Sequence, residues 1–509
     1  DVTPGTQLGA GGFVEASSGD MLIFGAKAST GIDDRRGTLL LDPKNITIAS
    51  SGGGGGGGGA FSLDAMIGYG YSGGKNLSQS LDSNDNFGAA VSLDGNRLAV
   101  GSAGWSSAGD GYNNSRSNSG EVHLYSFTDS SFSGARLEAV IGHGYTGGKN
   151  INQSLGTSDM FGTGVSLDGN RLAVGAWRGD GTNSSGDEGE VYLYTFSNST
   201  FSGGTLAGMI GEGYSGGKNI NQSLGNSDRF GYSVSLDGNR LAVGSYYGDG
   251  HNNQQSNSGE VRLYTFTDSV FSGGALAATI GDGYTGGKNF NQNLDSSDVF
   301  SSVSLDGNRL VVGARWANGY NNSYNNSGDI YLFTFSDSVF SNPTLAGMIG
   351  HGYTGGKNIS LTGHFFNSYP NNGSGVSLDG NMLAIGCMNC GGNNYSKPGS
   401  GQAFIFKFTD SVFSGGQLDA TIGYGFTGGN NVNQNLDADD FGWNVALDNN
   451  RLVVGARNGS GNNNSRYNAG DVYLYTAAAS GDAVSSAVFA TNSSSNSTIT
   501  PTSITTLLS

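Results

Sequence analysis

One short segment recurs six times and dictates most of what this chain can fold into. It reads Val-Ser-Leu-Asp-Gly-Asn-Arg-Leu-Ala-Val-Gly, with small variations, and its copies begin at Val91, Val165, Val234, Val303, Val376 and Val445. The spacings are 74, 69, 69, 73 and 69 residues. A unit of that length buries little apolar surface alone, so neighbouring units must supply one another's core. An active site is normally a single, non-repeated feature. A chain built mostly from one unit points to a surface or a scaffold rather than to a catalyst.

Each unit reads as four short strands. In the third, Leu206-Ala207-Gly208-Met209-Ile210 is the first strand, and a polar hairpin follows at residues 213–219. Phe230 to Leu236 is the second strand, and Arg240 to Gly244 is the third. Between them Asp237-Gly238-Asn239 supplies the positive φ that a tight two-residue hairpin needs. Glu260 to Phe266 alternates apolar and polar residues with period two, the mark of a fourth strand. Four antiparallel strands repeated six times is the arithmetic of an all-β propeller. The expectation is a ring of six four-stranded blades over residues 61–476. A seventh blade from the N-terminal strands, or an open array, are the alternatives.

The order Phe-Gly, Val-Ser-Leu-Asp-Gly, Leu-Ala-Val-Gly-Ala and Gly-Glu-Val-Tyr-Leu-Tyr resembles the FG-GAP repeats of integrin α-subunit propellers and their bacterial relatives. The likeness spans most of residues 61–476. Residues 1–50 lie outside the repeat. Their block Gly37-Thr38-Leu39-Leu40-Leu41-Asp42-Pro43-Lys44-Asn45-Ile46-Thr47-Ile48 resembles the end of a filamentous-haemagglutinin-type β-helix. That resemblance implies an exoprotein of two-partner secretion, and a β-helix-like N-terminal segment. Residues 51–60, with eight consecutive glycines from Gly52 to Gly59, read as a linker. Residues 477–509 form a Ser/Thr-rich tail.

Composition narrows the partners. Charged residues are 13% of the chain and the formal net charge is -17. Phosphate-rich surfaces are gripped by Lys and Arg, so nucleic acid and anionic membrane are disfavoured. No apolar run approaches the length of a membrane span, so no membrane insertion is expected. The chain starts at Asp1, which reads as a processed piece or a fragment. Only two cysteines are present, Cys387 and Cys390, and a local disulfide or a pair of buried thiols is the expectation. This CxxC follows a strand, whereas redox chemistry wants a helix N-terminus.

Several recurring residues are candidates for a site. FG-GAP repeats often hold calcium in an Asp-x-Asp-x-Asp-Gly loop, a pattern from which this sequence departs; the recurring aspartates two residues before the Phe, Asp85, Asp159, Asp228, Asp298 and Asp439, are the calcium candidates. The Leu-Asp-Gly-Asn turns add one carboxylate each, at Asp94, Asp168, Asp237, Asp306, Asp379 and Asp448, too few alone for calcium. Turn formation is the simpler role for all of them. The hairpin Gly-Tyr-Thr-Gly-Gly-Lys-Asn places Tyr145 with Lys149, Tyr214 with Lys218 and Tyr284 with Lys288. A ring of such tips could give multivalent glycan binding or a subunit contact. The simpler role is a solvated turn. Arg178-Gly179-Asp180 matches a cell-attachment tripeptide in no other unit and reads as chance.

No catalytic constellation stands out. The functional expectation is a non-enzymatic extracellular surface protein, adhesin-like or structural, that self-associates or binds a glycan or cell-surface ligand. The alternative is a propeller acting on polysaccharide, with any unique site in the divergent fifth unit near His364 and the CxxC.

Overall fold

A computed structural model describes residues 13–18, 38–43, 60–104, 109–182, 186–296, 298–361 and 372–477. The chain divides into two units, Asp1–Gly53 and Gly54–Ser509. In the first, strands Phe13–Ser18 and Thr38–Pro43 pair in parallel, Phe13 opposite Thr38 and Ser18 opposite Pro43. The glycine run, His364 and the tail beyond residue 477 lie outside the described residues.

The second unit is a closed ring of six sheets. Blade two shows the pattern. Phe161–Asp168 is innermost, followed outward by Arg171–Ala176, Glu190–Thr195 and Thr205–Gly211. These four are antiparallel neighbours. A fifth strand, Ile220–Asn221, lies parallel to the fourth, Ile210 opposite Ile220. The expected four-stranded blade is therefore five-stranded. The segment read as a polar hairpin is a loop that carries the chain back to start a parallel strand. Its Asn makes this possible: Asn219 Oδ1 accepts the Met209 N–H at 2.9 Å, and the same bond recurs in all six copies.

The innermost strands of blades one, three, four, five and six are Phe87–Asp94, Phe230–Asp237, Phe300–Asp306, Asn372–Asp379 and Phe441–Asp448. Blade six combines both ends of the repeat region. Its third strand, Asp471–Ala477, pairs with Phe61–Gly68, and Leu77–Ser78 completes the sheet. This closure settles the ring at six blades. The described N-terminal strands pair with one another, so they supply no seventh blade. It also shifts the phase of the repeat: the strand read as opening each unit is the outer strand of the preceding blade.

The core sits between blades. One apolar cluster joins Val122, Leu124 and Ile141 of blade one to Phe161, Val165 and Tyr192 of blade two, and equivalents recur around the ring. Each fully buried side chain of this size contributes about 1.5–3 kcal/mol. The Phe-Gly and Val-Gly glycines let backbones meet where blades cross. At Gly175 a Cβ would overlap the carbonyl oxygen of Gly231 in the next blade.

Candidate functional site

The recurring rim residues are committed to the frame. The hydroxyls of Tyr145, Tyr214 and Tyr284 donate to Glu121, Glu190 and Glu260, carboxylates buried under each loop. Burial and the adjacent carboxylate push these phenols well above their ordinary pKa. The lysines reach across to the next blade. Lys149 Nζ donates to Thr200 O at 2.6 Å, and Lys288 Nζ to Val339 O at 2.7 Å. Lys218 and Val270 O form the same pair. These tips form blade-to-blade clasps.

The aspartates before each Phe are loop caps. Asp85, Asp159, Asp228, Asp298 and Asp439 each accept a backbone N–H two or three residues upstream, at 2.6–2.9 Å. Desolvation by burial raises their pKa values, to about 7 for Asp228 and about 6 for Asp159. A calcium site needs several oxygens at once. Among the described residues no group of three or more acids, histidines or cysteines is placed to hold a metal.

The turn aspartates lock the ring at one end of the channel. Asp94 Oδ2 accepts the Gly169 N–H and Asp237 Oδ2 the Gly307 N–H, both at 2.9 Å. Asp448 returns to Gly95 N–H at 2.9 Å, closing the circle. Deeper in the channel, Ser92, Ser166, Ser235, Ser304 and Ser377 accept the N–H of Leu167, Leu236, Leu305, Leu378 and Leu447. These bonds satisfy edge amides that an innermost strand would otherwise leave unpaired.

Cys387 and Cys390 form a disulfide with a Cα–Cα distance of 5.5 Å. Arg178 of the Arg-Gly-Asp segment pairs with Asp187 at 2.9 Å, so its guanidinium is engaged within the loop.

The opposite end of the channel is different in kind. Phe161 faces Ala176 at that end of the innermost pair, and Asp168 faces Arg171 at the other. Residues just beyond Ala176 and its equivalents, and those flanking Phe161 and its equivalents, therefore converge on one mouth. There the six copies disagree. Trp177 comes from blade two, and Arg229, Tyr232, Tyr246 and Tyr247 from blade three. Arg315 and Trp316 come from blade four, and Trp443 and Arg457 from blade six. Together with the serine-lined strands they enclose a cavity of about 370 Å³.

The cluster is tightly ordered. Arg229 lies 4.5 Å from the Trp177 ring centroid and 4.1 Å from that of Tyr247. Arg457 lies 3.2 Å from Trp443, and Arg315 lies 5.3 Å from the same ring. Tyr232 and Tyr246 stack at 4.4 Å, and Tyr246 meets Trp316 edge-on at 6.0 Å. Arg457 pairs with Asp440 at 3.4 Å. Arg229 and Arg315 have no carboxylate within ion-pair distance among the described residues, and the Nε of each is buried without a hydrogen-bond partner there. Desolvation lowers the pKa of Arg229 from its usual value.

Reading the sequence for recurring residues passed over this site. A column-by-column comparison of the copies flags its positions as variable, though not that they meet. The residue before Phe varies as Asn86, Met160, Arg229, Val299 and Asp440, and the position two after it as Ala89, Thr163, Tyr232 and Trp443. The pair after the second strand varies as Ala103-Gly104, Trp177-Arg178, Tyr246-Tyr247, Arg315-Trp316, Met388-Asn389 and Arg457-Asn458.

A family model described as FG-GAP repeat matches residues 155–194, 224–264, 293–333 and 435–475. These segments hold the three inner strands of blades two, three, four and six. The chain thus carries FG-GAP repeats on a six-bladed propeller. A comparison with curated proteins gives no match.

Proposed function

We propose that this protein is a non-enzymatic, adhesin-like binding protein of the cell exterior, with its ligand seat at the aromatic mouth of the channel. One observation carries the reading: the copies agree over most of the frame, blade five at the seam excepted, and diverge where nine large aromatic and arginine side chains converge. Repetition is what a scaffold needs. Unique residues gathered over a cavity are what recognition needs. The disulfide and the acidic, Asn/Ser/Gly-rich surface support an extracellular setting. The haemagglutinin-like block at residues 37–48 supports export by two-partner secretion.

The test is an immobilised glycan and peptide screen with the full chain, repeated with Trp316→Ala/Trp443→Ala. Ligands retained by the parent and lost by the variant support the mouth as the seat. Binding unchanged in the variant contradicts it.

Self-association is a second reading, supported by the parallel pair of Phe13–Ser18 and Thr38–Pro43. Parallel strands stack readily into longer arrays through open edges. Sedimentation of the full chain against a chain beginning at residue 60 tests it. A concentration-dependent oligomer that needs residues 1–59 is the expected result, and identical monomers contradict it.

A further inference from the structure

The chemistry of the mouth specifies the ligand more closely, on the premise that the mouth is the ligand seat. We infer that it takes an acidic saccharide, a sugar bearing a carboxylate, held by Arg229 and Arg315. The formal net charge of the chain is -17. Yet among the described residues the cavity is lined by Arg229, Arg315 and Arg457 and by no acidic side chain. Asp440 pairs with Arg457, accepts a hydrogen bond from Asn458 and acts on Arg315 only through space. Among the described residues neither Arg229 nor Arg315 makes a direct ion pair, and the Nε of each is buried without a hydrogen-bond partner. Asp187 and Asp440 act on them only through space, so a partly dehydrated charge there gains from an arriving carboxylate. A planar guanidinium matches a carboxylate in a two-bond fork. Placement of the guanidiniums over the Trp177, Tyr247 and Trp443 rings holds these groups in advance, which reduces the entropy lost on binding.

The rest of the cavity suits a polyol. Ser92, Ser166, Ser235, Ser304 and Ser377 line it, and each accepts a backbone N–H with its oxygen. Each hydroxyl retains its own proton to donate. Tyr232, Tyr247, Trp316 and Trp443 are half-buried, with ring surface towards the cavity. Such rings pack on the C–H faces of a sugar while the hydroxyls and guanidiniums take its polar edge. A cavity of about 370 Å³ is at the small end of ligand pockets, suited to one or two sugar rings.

The experiment is a tryptophan-fluorescence titration of the full chain with D-glucuronate, D-galacturonate and N-acetylneuraminate. Glucose, galactose and the methyl ester of galacturonate serve as uncharged counterparts, and acetate and sulfate as anions without a sugar. At least one acid sugar is expected to bind about tenfold or more tightly than its uncharged counterpart, weakening as salt is raised. Arg315→Met and Arg229→Met should each erase most of that preference while leaving the melting temperature within about 2 °C. Equal affinity for acid and uncharged sugars overturns the inference, as does an unchanged preference in both arginine variants. Acetate or sulfate competing as well as the acid sugar also overturns it. Absence of binding by all three acid sugars at 10 mM, a level chosen as roughly the weak limit of useful recognition, overturns it too. If uncharged sugars bind and Trp316→Ala/Trp443→Ala abolishes that binding, the mouth stands as the seat and only the charge inference fails. If ligands from the screen bind undiminished by that double variant, the underlying reading fails as well.

Discussion

Five of the six blade junctions are alike, and the sixth shows what the likeness is for. At the junction of blades four and five, Arg309 lies over the Phe413 ring and Lys357 grips the carbonyl of Val412. The same two contacts join six to one, one to two, two to three and three to four. Both end on the connection between the third and fourth strands of the receiving blade. Blade six has no such connection, because those strands are Asp471–Ala477 and Phe61–Gly68 from opposite ends of the repeat region. Blade five, which faces it, carries Met382 instead of Arg and Asn430 instead of Lys. Met382 packs in one apolar cluster with Phe61. The seam retains the contacts that do not need the missing loop: Ser377 to Leu447 N–H, Asp379 to Asn449 N–H, and Gln434 to Tyr475. A residue that breaks the repeat is therefore explained by what its neighbour lacks.

The comparison can be broken most forcefully where backbones touch. Gly175→Val should cost about 3 kcal/mol or more, because the new side chain must displace the backbone of Gly231. The equivalent Gly244 faces Ser301 O at 3.2 Å, so Gly244→Ala should be far milder. Thermal or denaturant melts of the two variants decide this, and equal losses would contradict the geometry.

Acidity gives the next largest effect. Burial raises the pKa values of Asp85, Asp228, Asp329 and Asp471 to about 7. An acid whose folded pKa exceeds its unfolded value adds stability at low pH, and this is lost as pH climbs from about 4 through about 7. The melting temperature should accordingly be higher at pH 5 than at pH 8. Towards the acid side, Asp129, Asp268, Asp337 and Asp410 work in the opposite sense, since backbone amides hold their pKa values low. Stability should therefore fall again as the pH drops below about 4. Blade five already has Gln402 and Phe426 where other blades pair an acid with Tyr. Copying that solution into blade two, as Glu190→Gln/Tyr214→Phe, should fold and flatten the decline between pH 5 and 8. A steeper decline would contradict the assignment.

Transplanting the seam sharpens the comparison further. Arg309→Met in blade four should cost about 1–2 kcal/mol, from the lost stacking on Phe413 and the Asp306 carboxylate left behind. Lys357→Asn should cost about 0.5–1 kcal/mol. The reverse change at the seam, Asn430→Lys, should change stability by less than about 0.5 kcal/mol, because among the described residues blade six has no loop between its third and fourth strands to offer a carbonyl there. A clear gain from Asn430→Lys would show that the seam has an acceptor after all.

Much of this was legible in the sequence. The Asp-Gly-Asn turns, the period-two strands and the sixfold spacing specify the propeller. The fifth strand is only two residues long, too short for any periodic signal. The phase of the unit was hidden because an outer strand such as Leu206–Ile210 has the same pattern whichever blade receives it. The rim residues were legible as a recurring set, and Tyr145 and Lys149 belong to frame contacts that recur in five of the six blades. The mouth was missed for the converse reason. Arg229, Trp316 and Trp443 each occur once, and nothing local in the sequence says that three such positions share one cavity. Only ring closure brings them together.

The most direct test of this division between repeated frame and unique mouth is hydrogen exchange on the full chain, with and without a ligand recovered from the screen. The account predicts slowed exchange in residues 229–232, 246–247, 315–316 and 443–457, with the rim loops at 145–149 and 214–218 unchanged. Protection confined to the rim loops would contradict it.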